Sequence, residues 1–537
     1  MKEIHKILGL LPMVAFLVMT ACSSDDNNIE KAEPDQGVKI IPYSVTVNGE
    51  TSTRATVDGD LNRLYFAAGD KLYISGTNIS GVMDIQTGAG TASATFSGSL
   101  TYTGGGTPAS DLTLNATLVS AQQTDGVEVT IAANKTVTVN YGTALCADVN
   151  TAVQKYSLLT GTSTYGSKSF SSLTQQTAFL NFAITLNDGT SSGDNVTVTV
   201  ANVGGSDRTG SIKAITEDEK VKVKFVAPVA TQTLANANVT VGSNAAVAFG
   251  ESKVLAAKVY NVNRKIVNLS AVTAYEAQDG DILTGTGGND SHITIADKAT
   301  VTLNSINITT IKNDDLHKWS GLTCNGDATF ILKGMNYVNQ GNEDWPAIAG
   351  ADNKTIVIDS DGTLEVDGRK GPYGAAGINL GTDGDLIIKG GTITVHGGTS
   401  CAAIQGNGSN SDITITGGVV SAYGGGSSVP GIGTGNAGTC GKIEISGGSV
   451  TASGGQYAAG IGGGNWSLHG NIIITTGVTM VKASKGSDAR HCVGNGYNPK
   501  GGCGTVTIGG NLYWDGTNYQ NGGETYLTNS PLIYPAP

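Results

Sequence analysis

The sequence reads DITITGG at residues 412–418 and KIEISGG at residues 442–448. In both stretches two isoleucines alternate with polar residues, and a pair of glycines follows. Alternation with a period of two is typical of a β-strand that buries one face, and glycine tolerates the positive φ angle of a tight corner. Each stretch therefore predicts a short strand that ends in a sharp turn.

The same unit recurs about eight times between residues 293 and 510, with a period of about 29 residues. Each unit has three apolar positions, and no helical pattern lies between them. The first position is Ile293, Phe330, Ile356, Leu386, Ile413, Ile443, Ile472 and Val506. The second is Val301, Tyr337, Leu364, Ile393, Val420 and Val450. The third is Leu322, Ile348, Ile378, Ile404, Ile432, Ile461 and Val493. Three short strands per unit predict one coil of a parallel β-solenoid, whose stacked coils bury these positions as continuous ladders.

We expect a right-handed parallel β-helix over residues 268–510, because parallel crossover connections are right-handed. Of the 77 glycines in the chain, 41 lie between residues 362 and 510, a density that is also typical of low-complexity disorder. The regular strand alternation favours the solenoid over disorder. Residues 511–537 are rich in tyrosine and proline, and we expect them to cap the open end of the solenoid.

The chain has 537 residues and a formal net charge of −12. Its lysines and arginines form no cluster along the sequence that could neutralise several phosphates, which argues against a nucleic-acid partner. The sequence contains no CxxC motif, which would indicate a zinc site. Cys492 and Cys503 share the last coil and are the best candidates for a disulfide, but free buried thiols fit the sequence about as well.

The N-terminus has the organisation of a bacterial export signal, with Lys2 and Lys6 ahead of an apolar stretch. It ends in MTAC at residues 19–22, which resembles the lipobox of bacterial lipoproteins. The resemblance implies that residues 1–22 are a signal peptide with its lipobox and that Cys22 becomes the lipidated first residue. An ordinary secretory signal is the alternative.

The SSDDN stretch at residues 23–27 is similar to the acidic signal that sends lipoproteins of the Bacteroidetes to the outside of the outer membrane. This similarity implies a lipid-anchored protein on the cell surface. Residues 23–37 are polar and suit a flexible tether between the membrane and the first domain.

Residues 38–149 and 150–267 each contain alternating runs broken by Gly, Asn and Asp turns, which is the pattern of a β-sandwich. Both regions resemble the fimbrillin family of Bacteroidales, the lipoprotein pilins. The motifs that carry the resemblance are LYF at 64–66, AGDKLYI at 68–74, SLTQQTAFLNF at 172–182 and AKVYNV at 257–262.

This resemblance implies two tandem transthyretin-like sandwiches and assembly with other pilin subunits by strand exchange. In such pilins a protease removes the N-terminal strand after an arginine, and Arg54 lies at the corresponding place; a solvated arginine in a turn is the alternative. Stalk pilins donate a C-terminal extension, whereas this chain continues into a solenoid. We therefore expect a tip-type subunit that presents the solenoid as its cargo.

The solenoid resembles the β-helical carbohydrate-binding proteins typified by a clostridial pectin-binding protein. The resemblance covers about residues 275–510 and is carried by AGIGGG at residues 459–464 and by the glycine pairs of each coil. It implies binding of acidic pectic chains together with calcium.

Three longer loops in the first coils carry the candidate ligand-binding residues. They are Asp314, Asp315 and Trp319 in the first loop, Glu343, Asp344 and Trp345 in the second, and Arg369 and Tyr373 in the third. Both tryptophans precede a third-position residue by three, so stacking should bring them to one flank. Indoles offer apolar faces to sugar C–H groups, and the neighbouring acids could hold hydroxyls or calcium. The alternative is that both indoles cap the solenoid edge against the preceding sandwich, and the acids alone are too generic to predict a metal site.

These features predict a cell-surface adhesion lipoprotein that binds glycans and is not an enzyme. Glycoside cleavage needs two suitably spaced carboxyl groups, and residues 371–510 show no column of two. One alternative is a pectin-type polysaccharide lyase or hydrolase that uses Asp314, Asp315, Glu343 or Asp344. Another is a purely structural pilus or anchor subunit.

Overall fold

A computed structural model describes residues 37–48, 66–121, 127–171, 173–204, 207–230, 232, 234, 236–244, 246–248, 259–288, 291–308, 319–339, 345–368, 375–499 and 501–535. Strands predominate, and the helices in these ranges are α1 (Val149–Tyr156), α2 (Gly523–Thr528) and a 3-10 turn (Leu269–Ala271). The predicted all-β class with a C-terminal β-solenoid is confirmed. None of the helices in the described ranges is long and apolar enough to cross a membrane.

The first sandwich is one eight-stranded sheet around its own core, beside a small hairpin of β6 and β7. Its strands are β1 (Lys39–Asn48), β2 (Lys71–Gly76), β3 (Ile79–Thr87), β4 (Ser93–Tyr102), β5 (Thr113–Val119), β6 (Glu128–Ile131), β7 (Val137–Asn140), β8 (Leu158–Thr164), β9 (Ser169–Phe170) and β10 (Thr174–Gln175). The strand order of the sheet is β10-β8-β5-β2-β3-β4-β1-β9. Alternate residues of these strands, such as Val45, Leu72 and Phe96, are buried in a single cluster, so the sheet curls upon itself.

Helix α1 lies in the chain between β7 and β8 of the first sandwich and packs against the second sandwich. The side chain of Asp148 caps its N-terminus by accepting a hydrogen bond from the Thr151 N–H at 2.8 Å. Tyr156 of the helix packs in a small cluster with Phe179 and Val226 of the second sandwich. The first sandwich therefore contacts the second through a helix and its cluster rather than through a shared core.

The second sandwich consists of two facing sheets. Its strands are β11 (Thr177–Asn187), β12 (Asn195–Ala201), β13 (Arg208–Lys213), β14 (Ile215–Glu217), β15 (Lys220–Ala230), β16 (Asn238–Val241), β17 (Val247–Ala248) and β18 (Val259–Asn268). Strands β11, β14, β15 and β18 form one face, and β13-β12-β16-β17 form the other. Phe182 and Phe225 stack between them with ring centroids 4.6 Å apart.

The sheet of the second sandwich runs into the solenoid without a break. Strand β18 pairs in parallel with β11 on one side and with β20 (Asp281–Thr286) on the other. Strand β20 pairs in turn with β22 (Ala299–Ile308), the first long strand of the solenoid. The second sandwich and the solenoid thus share a continuous hydrogen-bonded sheet.

Three parallel ladders form the walls of the solenoid. The first consists of β22, β24 (Ala328–Lys333), β27 (Thr355–Asp359), β30 (Asp385–Ile388), β33 (Ile413–Ile415), β37 (Ile443–Ile445), β41 (Ile472–Ile474) and β44 (Val506–Ile508). The second begins at the end of β22 and continues through β25 (Met335–Asn339), β28 (Thr363–Asp367), β31 (Thr392–His396), β34 (Val419–Tyr423), β38 (Ser449–Ser453) and β42 (Met480–Ser484). The third is β19 (Ala274–Ala277), β21 (His292–Ile295), β23 (Leu322–Cys324), β26 (Ile348–Ala349), β29 (Ile378–Thr382), β32 (Ile404–Asn407), β35 (Ile432–Thr434), β39 (Ile461–Gly463) and β43 (Val493–Gly494). A minor pair, β36 (Thr439–Cys440) and β40 (Leu468–His469), lies at one corner.

The register agrees with the sequence in the later coils and differs in the first ones. All seven predicted third positions pair with one another in order, starting with Leu322 and Ile348. Ile293, however, belongs to the third ladder, where it pairs with Leu322. Val301 belongs to the first ladder, where it pairs with Phe330.

The reason for this error lies in the corner of the first coil. Strand β22 serves both the first and the second ladder, and Ser305 at φ 58° makes the bend for which Gly334, Gly391, Gly418 and Gly448 serve in later coils. The second-ladder register is also shifted by one at Tyr337, because its neighbour Asn336 is the residue that faces inward. Asn336 is fully buried and donates hydrogen bonds to the carbonyls of Lys333 and Thr363.

The C-terminal segment covers the last coil. Strand β45 (Asn511–Trp514) pairs antiparallel with β44, and β46 (Leu532–Tyr534) pairs antiparallel with β42. Leu527 of α2 is fully buried in the solenoid core. The open edge left by the parallel ladders is thereby blocked against pairing with other chains.

Candidate functional site

The three loops that carry the predicted ligand-binding residues all leave the second ladder and return to the third. Their starting points stack, since Ile308 pairs with Val338 and Val338 pairs with Val366. Their end points also stack in the third ladder. We call this edge of the solenoid, between the second and third ladders, the loop flank.

Most of the predicted site residues lie outside the described residues. These are Asp314, Asp315, Glu343, Asp344, Arg369 and Tyr373 of the loops, together with Cys22 and Arg54 near the N-terminus. The described part of the loop flank consists of the tryptophans and of the strand ends on which the loops are mounted.

Trp319 packs into the edge of the solenoid. Its indole Nε1–H donates a hydrogen bond to the Ser291 carbonyl at 2.7 Å, and its ring stacks on His292 with centroids 4.9 Å apart. The ring also packs against the solenoid core. Both contacts come from strand β21 and the turn before it, so Trp319 holds the first coils together.

Trp345 occupies the same offset one coil further on and has a different environment. Because Leu322 pairs with Ile348, the two tryptophans lie in one column along the solenoid axis. Trp345 is 39% exposed. It is therefore the indole of this column that presents the larger surface to a ligand.

The two coils that follow the three loops add a second aromatic group to the loop flank. The sequence analysis did not predict this group. At the end of the second ladder, His396 pairs with Asp367 on one side and with Tyr423 on the other. The rings of His396 and Tyr423 stack with centroids 5.1 Å apart and planes 18° apart, and Tyr423 is 36% exposed. A common offset from the second apolar position was the signal in the sequence that could have identified them.

The backbone holds this stack rigidly. The Gly368 N–H donates to the His396 carbonyl at 2.8 Å, and the Gly397 N–H donates to the Tyr423 carbonyl at 2.9 Å. The loop that contains Arg369 and Tyr373 leaves directly after Gly368. The stacked pair therefore continues the loop flank on its C-terminal side.

The carboxylates at the opposite corner serve the backbone. Four aspartates lie at the corner that precedes the strands of the first ladder. Each accepts a hydrogen bond from a backbone N–H of the following coil at 2.7–2.9 Å: Asp297, Asp327, Asp385 and Asp412. The Asp327 N–H and then the Lys354 ammonium lower the pKa of Asp297. These acids join one coil to the next. The expectation that residues 371–510 hold no column of two carboxyl groups is therefore wrong for Asp385 and Asp412, which stack in adjacent coils.

A second exposed aromatic group lies on the last coils, at the corner after the third ladder. Trp466 is 54% exposed with φ 54°, and Tyr497 is also exposed with its ring 5.3 Å from that of Tyr457. His469 is buried, so it contributes nothing to this surface. The Asn465 N–H, next to Trp466, donates to the carbonyl of Ser428, which lies in the connection from the second ladder to the third. Trp466 is therefore separated from Trp345 along the solenoid axis, by the four third-ladder pairings from Ile348 to Ile461.

The remaining candidates for chemistry are thiols and metal ligands. Cys492 and Cys503 are both free and buried, and their sulfurs face the separate carbonyls of Asn529 and Ser467. The free-thiol alternative therefore applies. Within the described ranges no group of three or more His, Cys, Asp or Glu side chains is placed to hold a metal ion.

No family model matches this chain, and no curated protein sequence matches it. Among solved structures, a candidate cell adhesion protein from Bacteroides ovatus aligns with a TM-score of 0.26 and 10% identity, over 42% of this chain and 92% of that one. A candidate adhesin from the same species gives a TM-score of 0.23 and 10% identity, over 44% and 86%. The tip fimbrial protein Mfa3 from Porphyromonas gingivalis, with a C-terminal truncation, gives 0.22 and 7%, over 42% and 95%. Likenesses of this size decide nothing about function.

Proposed function

We propose that this protein is a cell-surface adhesion lipoprotein that binds glycans through the loop flank of its solenoid. The observation that carries the proposal is the pair of aromatic groups at that flank: exposed Trp345 just before the third ladder, and the stacked rings of His396 and Tyr423 at the end of the second ladder. Flat aromatic faces bind the C–H faces of sugars. In sequence, the three loops that join the second ladder to the third carry Asp315, Glu343 and other polar residues of types that suit sugar hydroxyls or a calcium ion.

We propose binding without catalysis, and the contacts of three carboxylates in the described coils support this proposal. Asp385 and Asp412 each accept a backbone N–H, and Glu444 pairs with Lys442 at 2.9 Å. These hydrogen bonds and this ion pair join neighbouring coils or pair neighbouring side chains, which is a structural use of the three carboxylates. The rival proposal of a polysaccharide lyase or hydrolase rests on Asp314, Asp315, Glu343 and Asp344, and release of reducing ends or unsaturated sugars from polygalacturonate would establish it.

Binding of the full-length protein to a glycan array tests the adhesion proposal. Trp345→Ala and Tyr423→Ala should each weaken binding by roughly twofold to tenfold, because one aromatic contact is worth about 0.5–1.5 kcal/mol. Parallel arrays with calcium and with a chelator test the calcium requirement. Trp466→Ala is the matched control, since it removes an exposed indole from the last coils, four third-ladder pairings beyond the coil of Trp345. Absence of any glycan ligand, or equal weakening by the control, would contradict the proposal.

We further propose that the first sandwich accepts a strand from another pilin subunit. Strand β1 pairs antiparallel with β4 along its full length and lies in parallel beside β9. Val45 and Val47 of β1 are buried in the core of the sandwich. A cut after Arg54 would separate β1 from the rest of the chain, and its departure would open a groove between β4 and β9 for β-augmentation. The mass of the protein isolated from the cell surface would reveal such a cut.

A further inference from the structure

A hollow lies on the outer face of the first sandwich, beside the hairpin of β6 and β7. Its volume is about 800 Å³, within the range of about 300–1,000 Å³ that small-molecule sites occupy. Its lining is rich in hydroxyl and amide side chains, among them Ser75, Asn115, Thr117, Thr160, Thr162 and Thr174. We call this site the hydroxyl hollow.

The strand register explains the polar floor of the hollow. Leu114 and Leu118 of β5 are buried in the core of the sandwich, and strand side chains alternate between the two faces of a sheet. Asn115 and Thr117 therefore point outward. Pairing with β2, β8 and β10 extends them into two rows on the same face, one of Ser75, Asn115 and Thr162, the other of Thr117, Thr160 and Thr174.

The hairpin supplies an apolar wall. Val137 of β7 lines the hollow and pairs with Ile131 of β6, so both side chains lie on one face of the hairpin. Ile131 is exposed. Nearer the base of the hairpin, Val127 and Val139 pack against the cluster around Tyr156. This contact holds the wall in place beside the sheet.

No charged side chain belongs to the described lining of the hollow. A charged ligand would lose hydration here without gaining an opposite charge, which is unfavourable. Hydroxyl and amide side chains both donate and accept hydrogen bonds, as the hydroxyls of a sugar do. The polar floor therefore suits sugar hydroxyls, and the apolar wall suits the C–H groups of a sugar ring.

The floor is a sheet face rather than a sheet edge. Strand β5 at its centre pairs with β2 on one side and with β8 on the other. An extended peptide adds to a sheet through an unpaired edge, which the centre of this floor does not offer. The hollow therefore differs from the groove that departure of β1 would open between β4 and β9, and it favours a sugar over a peptide strand.

We propose that the hydroxyl hollow binds a neutral oligosaccharide, as a second sugar site on a different domain from the loop flank. The sugar hydroxyls form hydrogen bonds with Asn115 and the threonines of the floor. The C–H groups of the sugar lie against Val137 and Ile131 of the hairpin.

A glycan array with the full-length protein tests this proposal. The double variant Thr117→Val and Thr160→Val removes two hydroxyls from the floor and keeps the shape of both side chains. It should weaken binding of a set of neutral glycans by roughly fivefold to a hundredfold, as expected for the loss of two neutral hydrogen bonds. Binding of this set should not change as salt rises, because the lining carries no charge.

The double variant Thr95→Val and Thr101→Val serves as the control. Both threonines lie on β4 of the same sheet, outside the lining, and flank residues that are buried in the core. This variant should change the affinity for the same glycans by less than about twofold.

Trp345→Ala should leave the binding of these glycans unchanged, which separates the hydroxyl hollow from the loop flank. Equal losses in the two double variants would overturn the proposal, as would loss of the same glycans in Trp345→Ala. It would also be overturned if the variant of Thr117 and Thr160 weakened binding of acidic glycans alone, or of no glycan.

Discussion

His491 lies inside the C-terminal end of the solenoid as a neutral ring. Its Nδ1 accepts the Asn495 backbone N–H at 3.1 Å, and its Nε2 faces the Tyr519 hydroxyl at 3.0 Å. Burial, followed by the charge of nearby His469, lowers the pKa of His491 to about 3. A proton on Nδ1 would meet the Asn495 N–H directly, so the geometry and the pKa agree.

This arrangement predicts that acid destabilises the protein through His491. In the unfolded chain the ring takes up a proton near pH 6.5, whereas the folded protein does so only near pH 3. The free energy of unfolding should therefore fall as pH falls through this window, by about 1.4 kcal/mol per pH unit for this residue. Urea unfolding at pH 7 and pH 5 measures the loss.

His491→Gln should reduce the loss between pH 7 and pH 5, because glutamine does not titrate and its oxygen can still accept an N–H. His292→Gln is the control, since that ring is partly exposed at the other end of the solenoid. If His491→Gln kept the full pH dependence of the parent chain, the neutral ring would not be its source.

At the scale of elements, the sequence predicts those features that repeat within one coil. The third ladder was predictable residue by residue, because an isoleucine after Ala or Gly recurs there, as at Ile404 and Ile461. The bend within β22 was not, because Ser305 adopts a positive φ that the pattern assigns to glycine. The placement of Trp319 depends on its partner Ser291, which lies 28 residues earlier in the chain.

Features that depend on the register between coils needed the structure. His396 and Tyr423 are distant in sequence and stack only because β31 and β34 are paired. The lysines of β15 alternate with valines at residues 220–224 and read as an ordinary exposed strand face. They lie in one row with Lys265, because β11 pairs with β15 and with β18 and so places Thr185 between Lys222 and Lys265.

The position of β1 leads to a prediction about Arg54. An arginine-specific protease should cut the folded protein between β1 and β2, and Arg54→Ala should prevent the cut there, as measured by the mass of the product. The cut protein should then bind a synthetic peptide of residues 37–48, because β4 and β9 would each have an unpaired edge.

Arg63→Ala is the matched control, because Arg63 lies in the same connection between the two strands. It should leave the cut after residue 54 intact. A cut protein that fails to bind the peptide would contradict strand exchange at this site, even if the cleavage itself occurred.

At the scale of the whole molecule, the chain has two mechanical parts. The first sandwich has its own core and meets the second through α1, the cluster around Tyr156 and a bridge between Cys146 and Val226. The second sandwich and the solenoid share one sheet from β11 to β46. Ile282 of β20 packs in the sandwich core, and its neighbour Leu283 packs in the solenoid core. The loop flank therefore belongs to a framework that is continuous with the second sandwich.

This continuity predicts that the second sandwich and the first coils of the solenoid unfold together, while the first sandwich unfolds separately. In calorimetry, Phe182→Ala should cost about 3–5 kcal/mol and lower the temperature of the larger transition, which includes the solenoid. Phe96→Ala, a matched deletion in the first core, should lower only the smaller transition. Amide exchange should show that Phe182→Ala weakens protection of β22 and β24, because destabilising β11 exposes the sheet that these strands extend. If Phe182→Ala instead left their protection unchanged, the shared sheet would not couple the two parts.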